Sequence, residues 1–336
     1  MIWLKGCLLA GLALGIAGCG GAGAAGKQQE TPRLPKPAPI PAPPPKVKME
    51  VPAALRDAAK QELAAALRSH DEAVRSHAVE GLKDSLGTEA RADLLKALLD
   101  PEAIVRFAAS MSCGELRIEQ ARPILLQMVE DKNPHVQIGA IFALHRLGDV
   151  RFSLALEEAF KSKDQGVRGN AAFAMGRLGE PSAIKVLRHA MREEPAIEVR
   201  IQEAEALWRL GDEDGLKYLV AAGLSGDPGN QMIGILALVG PKDARVIEHV
   251  RAGLDSGYVE VKLVAARALG MLGSDEAYAL AIESAKSIEA RHRYLAALAM
   301  GAIGRTDAQP ILANLLKDLD ENVRVAAAVG ILELRD

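Results

Sequence analysis

Seven histidines, His70, His77, His135, His145, His189, His249 and His292, are the first candidates for metal or acid–base chemistry. No two stand three or four residues apart on one helix, the spacing that sets two imidazoles on one face. None is followed by glutamate, and neither Cys-x-x-Cys nor a Gly-x-Ser-x-Gly nucleophile elbow occurs. Gly21-x-Gly23-x-x-Gly26-Lys27 has the spacing of a dinucleotide fingerprint and nearly that of a P-loop. It lacks the strand before it and the helix after it, and Gln28 stands where a P-loop needs a hydroxyl. Carboxylates are plentiful, but most fall in turns or on polar faces. These residues predict no catalytic site, no metal and no cofactor, and so no enzyme.

A different set of residues is ordered along the chain. Val74-Arg75, Val105-Arg106, Val136-Gln137, Val167-Arg168, Val199-Arg200, Val261-Lys262 and Val323-Arg324 recur at intervals of 31, 32 or 62 residues. Degenerate copies at Asn230-Gln231 and His292-Arg293 fill the double gaps, which makes nine units. Counted from the valine, the fourth residue is small in every copy but one, where Glu203 stands, and the seventh is always small. Offsets 0, 4, 8 and 11 form one helical stripe. Gly148, Gly179, Gly211, Gly273 and Gly304 at offset 12 should end the helix in a left-handed conformation. A second amphipathic stretch follows each glycine, and no strand alternation appears. A period of this length predicts an all-α solenoid.

The pattern Asp-x-x-Val-Arg-x-x-Ala-Ala-x-Ala-Leu-Gly-x-Leu-Gly, carried well by Asp164–Gly179 and Val261–Gly273, resembles the HEAT-like repeats in the short form first named for phycobilisome lyases. The resemblance covers roughly residues 51–336. It implies an α–α superhelix of about nine helix pairs, with the Val-Arg helices on the concave side. It also implies a ladder in which turn carboxylates, read here as Asp71, Glu102, Asp164 and Asp320 with Asn133, meet the arginines of neighbouring repeats. The HEAT-like deoxyhypusine hydroxylases bind iron through His-Glu pairs that this chain lacks, and no residue supports a bilin-lyase reading. Forty-one Lys and Arg against 44 Asp and Glu give a net charge of −3, and the acidic excess grows once the basic tail is set aside. A nucleic-acid partner would demand the opposite sign.

Offsets 2, 3, 6 and 10 of the Val-Arg helices should point away from the core. In repeats three to five they are polar and aromatic: Phe142, Arg146, Phe173, Arg177 and Arg209, with Trp208 nearby. In repeats six to nine they are apolar: Met232, Leu236, Leu263, Tyr294, Leu298 and Val329. Two accounts fit the apolar half. It is an exposed surface for a protein or peptide partner, most simply an apolar or amphipathic helix, with lipid as the competing ligand. Or offset 2 is partly buried between neighbouring helices. The arginine row would favour an acidic end on a ligand, or be balanced by Asp149, Glu180 and Asp212.

Residues 1–18 read as an export signal: Lys5, the apolar run Gly6–Ala17, then small residues. Ile16-Ala17-Gly18-Cys19 resembles the bacterial lipobox, which implies cleavage before Cys19, lipid on Cys19, and an anchored, exported protein in the cell envelope. The absence of Asp after Cys19 implies the outer membrane, facing the periplasm. An uncleaved anchor over Gly6–Ala25 is the alternative. Residues 19–50 are Gly- and Pro-rich and predict a tether without a fold of its own. Cys113 falls at a core position, and no disulfide framework is expected. Repeat six should be the weak joint, because Asp227-Pro228-Gly229-Asn230 replaces the Val-Arg start and Gly240-Pro241 ends the helix early.

Overall fold

The computed structural model describes residues 42–335, which form nine helix pairs and, among the described residues, no strand. In each pair an outer helix precedes an inner one that carries the Val-Arg site. The inner helices are Glu72–Leu86, Ala103–Glu115, Pro134–Arg146, Gln165–Leu178, Ile197–Arg209, Pro228–Leu238, Val259–Met271, Ala290–Ile303 and Glu321–Glu333. They define repeats one to nine. Outer helices such as Ala183–Glu193 bury little more than one row, there Leu187, whereas inner helices are buried around most of their circumference.

The solenoid closes on itself. The last inner helix packs against both helices of repeat one. Arg324 Nε donates to Glu62 at 2.7 Å, Arg56 donates to the Leu334 carbonyl, Ser69 donates to Glu321, and His77 Nδ1 meets Asn322 Oδ1 at 2.9 Å. The last pair repeats an internal contact: Asn170 Nδ2 lies 2.9 Å from His135 Nδ1, again joining offset −1 of one repeat to offset 3 of the next. The ring therefore adds the seam as another junction of the same kind.

Local chemistry explains the helix ends. Asp71, Asn133, Asp164, Asp227 and Asp320 cap inner helices by accepting backbone N–H groups. Thus Asp71, Asn133, Asp164 and Asp320, three residues before the valine, are caps, Glu102 makes no side-chain cap, and none of them forms the expected ladder. The ladder itself exists five residues before the next valine: Arg75–Asp100, Arg106–Asp131, Arg168–Glu194 and Arg293–Asp318, each bidentate. Each of these arginines also donates to backbone carbonyls of the turn that precedes its own helix. The five expected glycines all have φ between 73° and 89°. Arg117 (φ 52°) and Lys242 (φ 57°) hold the equivalent turn in repeats two and six without glycine.

The expected tether boundary shifts. Residues 42–50 have no regular structure but dock on the ring. Arg305 donates to the carbonyls of Pro44 and Pro45 at 2.9 Å each, lies 4.1 Å over the Tyr278 ring, and is held by Asp307 and Asp275. Met49 N–H donates to Thr306 Oγ1. The export signal, Cys19 and the remainder of the tether lie outside the described residues.

Candidate functional site: the lumen of the ring

Closing the ring turns the concave face into a lumen. Its main cavity is about 660 Å³ and is lined by residues of every repeat but the third; a side lobe of 260 Å³ adds Arg146. Offsets 6 and 10 supply most of the lining, because on a helix they share the face opposite the core stripe. The result is polar. Acids Glu80, Asp84, Glu115, Glu205 and Glu333 face bases Lys83, Arg177, Arg209, Lys242, Arg267 and Arg335.

The charges form a partial network. Glu115 takes Lys83 Nζ at 2.8 Å and Arg177 Nη1. Burial raises the Glu115 pKa, but Arg177 and Lys83 outweigh it and hold the carboxyl below its ordinary range. Arg177 also lies 4.5 Å over the Phe173 ring. Arg209 Nε donates to Glu205 at 2.8 Å and Nη1 to the Gly240 carbonyl at 3.3 Å. A Cβ on Gly240 would stand 2.7 Å from the Arg209 guanidinium and would displace it. Glu333 is pushed up to about 6 by burial, with Arg267 opposing the shift and Asp84 adding to it.

The sequence expectations divide clearly. Phe173, Arg177, Arg209 and Leu236 line the main cavity and Arg146 the side lobe. Met232, Leu263, Tyr294, Leu298 and Val329 do not form an exposed apolar half: all are buried, Leu263 completely. Small residues at offsets 4 and 7 draw the inner helices so close that these side chains fill the space between them. Phe142 is buried for the same reason, and Trp208 is buried with its indole N–H donating to the Leu238 carbonyl at 3.0 Å. The proposed partners of the arginine row are also wrong. Asp149 pairs with Arg151, Asp212 with Arg188, and Glu180 is exposed. The lining acids of repeats one, two and nine were missed, although applying offsets 6 and 10 to those repeats would have found Glu80, Asp84, Glu115 and Glu333.

Two buried groups lie outside the lumen. Cys113 is a free, fully buried thiol whose pKa desolvation pushes up to about 12, so it is inert. Glu203, the exception in the small offset-4 column, is fully buried with neither oxygen hydrogen-bonded. Desolvation, reinforced by Glu194, lifts its pKa to about 8. Among the described residues no three His, Cys, Asp or Glu side chains are grouped as around a metal ion.

These features define an α-solenoid of helix pairs closed around a polar lumen. The family model for HEAT repeats matches residues 92–165, 152–238 and 247–333, more than half of the chain, and the protein belongs to the HEAT-repeat family. No curated protein matches. Solved structures similar to it include the CpcE–CpcF complex of phycocyanin lyase from Nostoc, at 20% identity over 76% of this chain and 97% of that one, with a TM-score of 0.44. Human deoxyhypusine hydroxylase in complex with glycerol is 21% identical over 75% and 98%, with a TM-score of 0.39. The Escherichia coli protein YibA is 19% identical over 86% and 98%, with a TM-score of 0.33. The lyase and hydroxylase activities are those proteins' own.

Proposed function

We propose that this HEAT-repeat protein is an envelope-anchored scaffold or adaptor that receives an extended segment of a partner protein in the lumen of its ring. The observation that carries the reading is the lumen itself, whose polar lining is drawn from nearly the whole chain. Its volume lies within the range of ligand sites. An α-helix with side chains is about 10–12 Å across, so 660 Å³ holds only about one and a half turns of one. An extended segment therefore fits better than the amphipathic helix expected from the sequence. Phe173 and Leu236 supply apolar contact and the charged walls supply orientation. Anchoring rests on Ile16–Cys19 and the Gly- and Pro-rich residues after it.

A photo-cross-linking residue tests the lumen. Placed at Met271, which lines it, the probe should give a discrete protein adduct in cells; placed at Leu319, 98% exposed, it should not. Equal labelling at both positions, or none at Met271, contradicts the reading. For the anchor, Cys19→Ala should accumulate unprocessed precursor. Normal processing of that variant, with no labelled fatty acid on the natural chain, removes the lipoprotein assignment.

A further inference from the structure

One wall of the lumen carries more positive charge than its neighbours balance. Arg146, Arg177 and Arg209 stand at offset 10 of three consecutive repeats, and all three line the side lobe. Glu115 and Glu205 pair with the second and third. Among the described residues Arg146 has no carboxylate within ion-pair distance, and its Nε is buried without a hydrogen-bond partner, as is that of Arg177. Cations are favoured at helix C-termini by the helix dipole, but that attraction gives no acceptor to a buried N–H. A donor buried so costs free energy, which an acceptor entering the side lobe would offset once the guanidinium turns towards it.

Lys242 is the second, independent observation. It lies on the lining of the main cavity next to Pro241, which borders the side lobe. Its position is the helix-ending one where five repeats place glycine, and it is held at φ 57°. That conformation is unfavourable for any residue with a Cβ. Lysine there carries backbone strain of the kind that clusters at ligand sites. Lys242 and Arg117, the other exception, are both exposed, but Arg117 lines neither cavity; it supplies a control.

We infer that Arg146, Arg177, Arg209 and Lys242 form a carboxylate-binding wall, and that the extended segment received in the lumen is acidic. A guanidinium matches a carboxylate in plane and spacing. The inference rests on the lumen being the binding site and adds the chemistry of what enters it.

The test uses the full chain and two hexapeptides, one alternating Ala with Glu and the other Ala with Gln, titrated by calorimetry. The Glu peptide should bind at least ten times more tightly than the Gln peptide, and less tightly as salt rises. Arg146→Gln should remove most of that preference and leave the Gln peptide unchanged. Lys242→Gly should weaken the Glu peptide several-fold while the melting temperature stays level or rises, which separates charge loss from unfolding. Arg117→Gly should leave both affinities unchanged. Equal binding of the two peptides, both weakened by Phe173→Ala, overturns the carboxylate wall and leaves the lumen reading standing. No binding of either peptide to a folded ring overturns both. Tighter binding of glutarate than of the Glu peptide overturns the peptide segment in favour of a small dicarboxylate.

Discussion

The junction between repeats four and five and the seam between repeats nine and one join equivalent helices in different ways. Inside the ring, backbone meets backbone. A Cβ on Gly176 would stand 2.6 Å from Ala206 Cα, and one on Gly114 would stand 2.7 Å from Ala143 Cα. At the seam, side chain meets side chain. The space above Gly81 is filled by Val329, 2.7 Å from where a Cβ would be, and by Leu63 at 3.1 Å. Leu332, at the offset that is glycine at both of those internal junctions, lines the lumen. The hydrogen-bonded pair at offsets −1 and 3 is kept at the seam, as His77–Asn322. The polar register that orients repeats is thus shared, while the close backbone approach that locks them is absent where the chain ends meet. The seam is therefore a place at which such a ring could open.

The largest effect should come from the seam's apolar filling. Leu63 is fully buried in the outer helix of repeat one, and Leu63→Ala should cost about 2–5 kcal/mol. Hydrogen exchange should then accelerate in repeats one and nine together. Acceleration in repeat one alone would mean that the seam does not couple them.

Glu203 comes next and lies away from the seam. Its raised pKa means that the folded state keeps a proton that the unfolded state releases. Its contribution is fully present below the ordinary carboxyl value near 4.5 and is lost as pH rises towards about 8. Glu203→Met should therefore add on the order of 2–4 kcal/mol more above pH 8 than at pH 4. A gain independent of pH would show that the carboxyl is charged in the fold.

The comparison itself is sharpened by glycine. Gly176→Ala must push one helix backbone away from another and should cost about 1–3 kcal/mol. Gly81→Ala displaces only side chains and should cost less. The reverse order in chemical denaturation would place the tight junction at the seam. Smallest of all, Arg117→Gly should stabilise by about 1 kcal/mol by relieving its left-handed backbone.

Much of this ring was readable from residue spacing. Helix pairs, glycine stops and the inner position of the Val-Arg helices all follow from a period that each repeat obeys locally. The inner helix of repeat six ends early, as Gly240-Pro241 implied. It stops at Leu238, eight residues past the Asn230 that replaces valine, whereas repeats five and seven run to offset 10. Ser225 stands at the ladder position, as serine also does in repeats one, four, seven and eight, so among the described residues Arg200 has no carboxylate rung and lies near the Tyr218 ring instead. Hydrogen exchange over residues 225–242 should accordingly be faster than in repeats four and seven.

Closure was not readable. It depends on the sum of small rotations over nine repeats, which no single copy encodes. The conversion of an open face into a lumen follows from that curvature, whereas the burial of Met232, Leu263, Leu298 and Val329 follows from the small residues at offsets 4 and 7. The ladder was half legible: the arginines were evident, but their carboxylates lie 25 or 26 residues on, in the next repeat's turn. The caps three residues before each valine were the nearer and misleading candidates.

Ring closure is the claim on which the lumen depends, and zero-length carbodiimide cross-linking tests it directly. Lys83 and Glu115, 2.8 Å apart across repeats one and two, provide an internal standard in the natural chain. Arg324→Lys places an amine opposite Glu62, now 2.7 Å from the arginine across the seam. Peptide mass spectrometry of the monomer should then find an amide bond between positions 62 and 324 in yield comparable to the Lys83–Glu115 link. A strong Lys83–Glu115 link with none between 62 and 324, or with that link only between separate molecules, would mean that the solenoid is open.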